Sequence, residues 1–205
     1  KAIEKTGKPI LLSLSPGNEV DPDAIDSFRK ANMLRVTKDV WDEVHFIDEC
    51  FAAWRRWAGK NSDNFWIDMD MIPFGQLLLM SPRKEMLNGS SEEAVRLAGH
   101  GYRRWQQLSQ DQMFTFITMR ALSASPLMVG GDLPTMDGFS LRLLTDPEML
   151  ACNQNGVMGH LIYEDGGIEA WKTPEKGDEV KGWIGVFNRT DRHETIRLNQ
   201  AVLKL

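Results

Sequence analysis

The chain has 205 residues, 42% of them hydrophobic and 26% charged, with a net charge of −5. That length supports a buried core in one or two domains, and the acidic balance gives no electrostatic footprint for nucleic acid or an anionic membrane surface. No apolar run approaches the ~18 residues of a membrane span, and two cysteines without CxxC spacing and four scattered histidines argue against a disulfide framework or a metal site.

Residues 1–7 read as the tail of a helix closed by Gly7. With no initiator methionine and no signal-peptide pattern, the chain is expected to start inside an element of a longer polypeptide. Residues 9–15, PILLSLS, form an apolar run ended by Pro16-Gly17, the pattern of a buried parallel strand. Asp21 followed by Pro22 predicts a short helix over residues 21–30.

Residues 33–36 form a second strand, which passes Arg35 and breaks into Thr37-Lys38-Asp39. Helical periodicity follows over residues 42–58, with Val44, Ile47, Phe51, Trp54 and Ala58 on one face. Residues 65–71, FWIDMDM, are a third strand-like run, ending in Asp68, Asp70 and Met71. Residues 73–101 carry turn signals at Ser81-Pro82 and Asn88-Gly89 and are expected to form a long loop with a short amphipathic segment.

Ser109-Gln110-Asp111-Gln112 is a capping box. It opens a helix to about residue 123 with Met113, Phe116, Ile117 and Leu122 inward. Residues 126–129 read as a fourth buried strand, closed by Gly130-Gly131-Asp132, and Asp132 is expected to cap a helix or loop. Short helices are predicted over residues 139–144 and from Asp146-Pro147. Beyond residue 157 the texture changes to short alternating runs at 161–163, 169–172, 183–188 and 195–198, an antiparallel sheet pattern.

Four strand-then-helix units thus occupy residues 1–156. The fold class is α/β: about the last four units of a (β/α)8 barrel, followed by part of an antiparallel β-sandwich in residues 157–205. Such barrels keep their chemistry at the C-terminal ends of the strands, which is where Arg35 and Asp39 would sit. An anchoring cation would then stand beside a carboxylate able to act as acid and base; a solvated salt bridge at a surface strand end is the other reading. A half barrel leaves two open sheet edges, so a homodimer or a complementing N-terminal barrel half is a candidate partner.

In order along nearly the whole chain, five stretches are similar to the family 27 glycoside hydrolases, the α-galactosidase and α-N-acetylgalactosaminidase group. TGKPILLSLSPG resembles the fifth barrel strand of that family, and ANMLRVTKD the sixth, with its R-x-x-x-D. FWIDMDM resembles the seventh-strand motif W-N-D-P-D-M-L. LSQDQMFTFITMRALSASPLMVGGDL is similar to the last helix and eighth strand, and LLTDPEMLACNQ to the segment leaving the barrel.

The resemblance implies a retaining exo-α-glycosidase acting on a glycoside or oligosaccharide, with two carboxyls about 5–5.5 Å apart across the anomeric carbon. Asp39 matches the acid/base, which needs a raised pKa to carry its proton near neutrality. Arg35 matches the residue that hydrogen-bonds the 2-substituent of the sugar. Asp70 and Met71 match pocket-lining positions, and Asp68 matches a neighbouring acidic position suited to orienting partners. The nucleophile of the family lies on the fourth strand, upstream of this chain, so the isolated chain is expected to be inactive.

At Ser15-Pro16-Gly17 α-galactosidases commonly carry Glu-Trp-Pro. Ser15 resembles the N-acetylgalactosaminidase branch, and galactose, N-acetylgalactosamine and arabinopyranose all stay open. The family is usually secreted, periplasmic or lysosomal, and its chemistry calls for no cofactor or metal. A non-catalytic carbohydrate-binding or scaffold protein derived from the same fold is the alternative.

Overall fold

A computed structural model describes residues 2–79, 102–197 and 199. Its architecture follows from two amphipathic helices against which short strands are laid. α2 (Val44–Trp57) buries Ile47, Cys50, Phe51, Ala53, Trp54 and Trp57, a stripe at three- and four-residue spacing. Val44, at the solvent end of that stripe, is exposed, and Ala58 is the C-cap. α3 (Gln110–Leu122) begins at the expected capping box, with Ser109 accepting from the Gln112 amide and Gln112 returning the bond. Both helices contribute to one hydrophobic cluster with Leu34, Ile67 and Ile72 from the strands.

The chain opens with α1 (Ala2–Thr6). Strand β1 (Ser13–Leu14) pairs in parallel with β2 (Met33–Arg35), and β2 with β3 (Trp66–Asp68), giving the order β1-β2-β3. The link between β1 and β2 contains a 3-10 helix, Pro22–Ser27, whose N-cap Asp21 accepts from the Asp23 amide. A second parallel pair joins β4 (Met71–Ile72) to β7 (Met128–Val129). α4 (Gly138–Leu144) and α5 (Pro147–Gln154) follow, capped by Asp137 and Asp146. An antiparallel sheet of order β10-β9-β8 closes the described chain, from β8 (His160–Asp165), β9 (Ile168–Glu175) and β10 (Asp178–Asn188).

Four expectations are corrected. Only Ser13 and Leu14 of residues 9–15 are in a strand, and Ile10 and Leu11 are 46% and 73% exposed. The reason is that, among the described residues, β1 has a strand neighbour on one side only. Residues 126–129 are likewise not buried: Met128 and Val129 are exposed on a two-residue strand that, among the described residues, pairs only with β4. Within residues 73–101, where a loop was expected, Gln76–Leu79 form a strand, β5, which pairs antiparallel with β6 (Tyr102–Trp105). The turn signals at Ser81-Pro82 and Asn88-Gly89 lie outside the described residues. Finally, residues 195–197 are not in a strand, and Leu198 lies outside the described residues.

The antiparallel sheet is joined to the helices by aromatic stacking. Trp54 of α2 and Trp171 of β9 stack with ring centroids 3.7 Å apart at 19°, and the Trp54 indole N–H donates to the Gly159 carbonyl at 2.8 Å. The Leu122 carbonyl at the end of α3 accepts from both Gly159 N–H at 2.8 Å and Thr173 Oγ1–H at 2.7 Å. A Cβ on Gly159 would come within 2.9 Å of that carbonyl oxygen, so glycine is required where the chain crosses from helix to sheet.

Candidate active site

Strand β2 delivers Arg35 to its last position, where the parallel register sets it opposite Asp68 of β3. Two carboxylates meet its guanidinium. Nη2 pairs with Asp39 Oδ1 at 2.9 Å, and Nη1 donates to Asp70 Oδ1 at 3.1 Å. The other oxygen of Asp70 accepts the Val40 amide at 2.7 Å. Asp70 thus ties the end of β2 to the loop beyond it, and Asp39 is held between those two anchors.

Asp70 can do this because its backbone is turned. Its φ is +69°, a left-handed conformation that aspartate tolerates better than most side chains. Its N–H donates to Asp68 Oδ1 at 2.8 Å, an Asx-type bond across the turn. The turn also separates β3 from β4 and carries Met71 onto the second parallel pair, opposite Met128.

Exposure distinguishes the two carboxylates on Arg35. Asp70 is 17% exposed and has both oxygens occupied, whereas Asp39 is 72% exposed. Asp39 is therefore the carboxyl that an incoming molecule can reach. Ser15 sits one residue beyond the Leu14↔Leu34 pair, at the level of Arg35 on the neighbouring strand, and is exposed. Ser15 and Met71 flank the group without a described hydrogen bond to Arg35, Asp39 or Asp70. Asp132 occupies the N-cap position of the 3-10 turn Leu133–Thr135; its carboxylate accepts from Thr135 Oγ1 at 2.8 Å and pairs with Arg103 at 3.3 Å.

Burial and charge shift several groups. Burial pushes the Asp68 carboxyl above its ordinary range, against the pull of Arg120 and the Asp70 N–H. Burial would also lower Arg35, but Asp70 and Asp39 outweigh it and hold the guanidinium more firmly protonated than usual. Three residues past Asp39, Asp42 is fully buried and gripped by both terminal nitrogens of Arg104, with Nη2 to Oδ1 at 2.8 Å, while the Gln107 amide donates to Oδ2 at 2.7 Å. Burial alone would raise this carboxyl, but the fork of donors keeps it below the carboxylate norm.

Sequence reasoning did not single out Asp42, Arg104 or Arg120. Arg120 is the one with a readable signal: it follows Phe116 by four residues and Ile117 by three, which puts a charge on the inward stripe of α3. Among the described residues no group of three or more His, Cys, Asp or Glu could hold a metal ion. No helix among them is long and apolar enough to cross a membrane.

No protein-family model matches the chain. Alpha-galactosidase 2 of Arabidopsis thaliana is 26% identical over 207 residues, which span 100% of this chain and 44% of that protein. The alpha-galactosidase of Oryza sativa subsp. japonica is 27% identical over 197 residues, 95% of this chain and 40% of its own length. Among solved structures, a GH27 β-L-arabinopyranosidase from Geobacillus stearothermophilus superimposes with a TM-score of 0.82 at 29% identity, covering 99% of this chain and 43% of that one. Over nearly its whole length the chain is similar to family 27 glycoside hydrolases. The chain spans less than half the length of the relatives it matches. The superposition extends over both the parallel strands and the antiparallel sheet, and so over all the residues of the candidate site.

Proposed function

We propose that the polypeptide carrying this chain is a retaining exo-α-glycosidase of the α-galactosidase kind, cleaving terminal galactose-type sugars by double displacement. The observation that carries the proposal is Asp39, an exposed carboxyl held on Arg35 at the mouths of parallel strands. In this reading Asp39 donates its proton to the glycosidic oxygen while a second carboxylate attacks the anomeric carbon and the leaving alcohol departs. Asp39, now a carboxylate, takes a proton from water, and that water opens the glycosyl ester with net retention.

The second carboxylate is proposed to lie outside these 205 residues, on another strand of a (β/α)8 barrel. The parallel strands described here would be consecutive members of that barrel, and residues 157–205 would form part of the following β domain. The open edges of β1 and β7 support this arrangement, because each presents a parallel strand with room for a neighbour.

The fork of Arg35 suits an oxygen on the 2-substituent of the sugar, since its planar donors can serve a ligand and a carboxylate together. Asp70 and Met71 would line the same pocket, and Ser15 would face it from β1. Galactose is favoured by the names of the sequence relatives, and arabinopyranose by that of the superimposable structure.

The test is Asp39→Asn in the natural polypeptide. Turnover of an aryl α-galactoside is expected to fall by about 10²–10⁴-fold, the usual worth of a general acid/base, with the loss smallest for the best leaving groups. Unchanged turnover would remove Asp39 from the role.

A further inference from the structure

Arg120 is fully buried near the end of α3. It has no direct ion pair among the described residues. Its guanidinium lies 4.9 Å from the Phe116 ring centroid and its Nη2 4.0 Å from Cys50 Sγ, and burial lowers its pKa against the pull of Cys50, Asp68 and Asp70. A buried cation without a paired anion costs several kcal/mol, and a leucine or methionine would satisfy the inward stripe of α3 without that penalty. The charge therefore calls for a use.

Its hydrogen bonds indicate one. Nη2 donates to the Met69 carbonyl and reaches the Met71 carbonyl at 3.4 Å. Nη1 donates to Ser125 Oγ at 3.0 Å, and that oxygen accepts the Met69 amide at 3.0 Å. A single guanidinium and its serine thus hold the backbone of the two residues that flank a third, by the carbonyl of each and the amide of the first. That residue is Asp70, with φ of +69°, and its side chain in turn holds Arg35 and the Val40 amide.

We infer that Arg120 is a positioning residue: by clamping the carbonyls on either side of Asp70 it fixes the left-handed turn there, and through Asp70 and Arg35 it sets the place of Asp39. A left-handed turn at a non-glycine residue is held only where its surroundings over-determine it, and here two carbonyls and one amide are fixed from the opposite side of the chain. The inference rests on the glycosidase reading only for what Asp39 does; the geometric part stands without it.

The experiment uses the natural polypeptide with three variants. Arg120→Met removes the clamp with little change of volume, Arg120→Lys keeps the charge and one donor group, and Phe116→Leu perturbs the same core and the ring beside the guanidinium while keeping every hydrogen-bonding group of the clamp. Amide exchange at Val40 is measured beside kcat/KM on aryl glycosides and the melting temperature. Arg120→Met is expected to speed Val40 exchange at least about 10-fold beyond Phe116→Leu at equal loss of stability. It should also lower kcat/KM by about 10²-fold, the cost of a misplaced catalytic group.

Arg120→Lys should fall between Arg120→Met and wild type on both readouts. If Arg120→Met does not fold, Arg120→Lys and Ser125→Ala, which unpins the Met69 amide, carry the same comparison. Val40 exchange no faster than in Phe116→Leu would overturn the inference even if the wild type is a fully active glycosidase. A wild type that hydrolyses no glycoside but shows the exchange difference would sink the glycosidase reading and leave the clamp standing.

Discussion

Burial bears on two carboxyls near the strand mouths, and they end up shifted in opposite senses. Asp68 has one backbone donor and the pull of Arg120 and Arg35, but desolvation outweighs them and its proton is held more tightly. Asp42 has desolvation too, but two guanidinium nitrogens and an amide outweigh it. The sign of the stability effect follows for Asp42. Its folded pKa lies below the unfolded value of about 3.9, so its contribution is complete above that value and is lost as pH falls through the folded pKa. For Asp68 the sign reverses, and its contribution improves as pH falls through its raised folded value. Asp42→Asn is therefore expected to cost about 3 kcal/mol near neutrality, because it leaves Arg104 facing a neutral partner in a largely buried site. The gap to wild type should narrow below about pH 4, which urea melts of both proteins across pH 3–7 would read directly. A gap independent of pH would mean that packing, rather than charge, holds this contact.

The helices were the most legible elements because their signals are local. The Ser109 and Gln112 box, the Asp146-Pro147 start and the spacing of Ile47, Phe51 and Trp54 each need only a few neighbouring residues to be read. Ser109→Ala should accordingly lower stability by about 1 kcal/mol, seen as a shift of the denaturation midpoint with unchanged slope. A larger loss would mean that α3 is anchored mainly at its N-terminus rather than by its buried stripe.

Strands were harder to read, since their burial depends on what lies beside them. Ile10, Leu11, Met128 and Val129 are as apolar as any core run, yet they are exposed because no strand among the described residues pairs with the outer edge of β1 or β7. The β5–β6 pair was missed because its two strands are brought together only in three dimensions, and neither QLLL nor YRRW alternates. At the site, the Arg35–Asp39 spacing was visible as a motif, but the bond from Asp70 to Val40 crosses 30 residues. Arg120 acts through backbone atoms, which leave no mark on the sequence.

At the scale of the whole molecule, several exposed apolar residues lie at the outermost parallel strands of the two sheets, Ile10 and Leu11 before β1 and Met128 and Val129 on β7. As a free 205-residue polypeptide the chain is expected to self-associate or to bind a hydrophobic dye, since exposed apolar residues beside unpaired strand edges invite further contacts. Leu11→Lys with Val129→Lys should suppress both, with sedimentation velocity as the check. A monomer at high concentration without those changes would remove the support that the open edges give to the larger barrel.

The helical part and the antiparallel sheet meet at Trp54 against Trp171, both fully buried. Two indoles at 3.7 Å no longer absorb as independent chromophores. Their transitions couple, and the coupling falls away steeply as the rings part. The seam between helix and sheet therefore has its own optical signature, a circular-dichroism couplet that belongs to neither ring alone. It lets the parting of those two layers be followed in solution separately from the melting of either one.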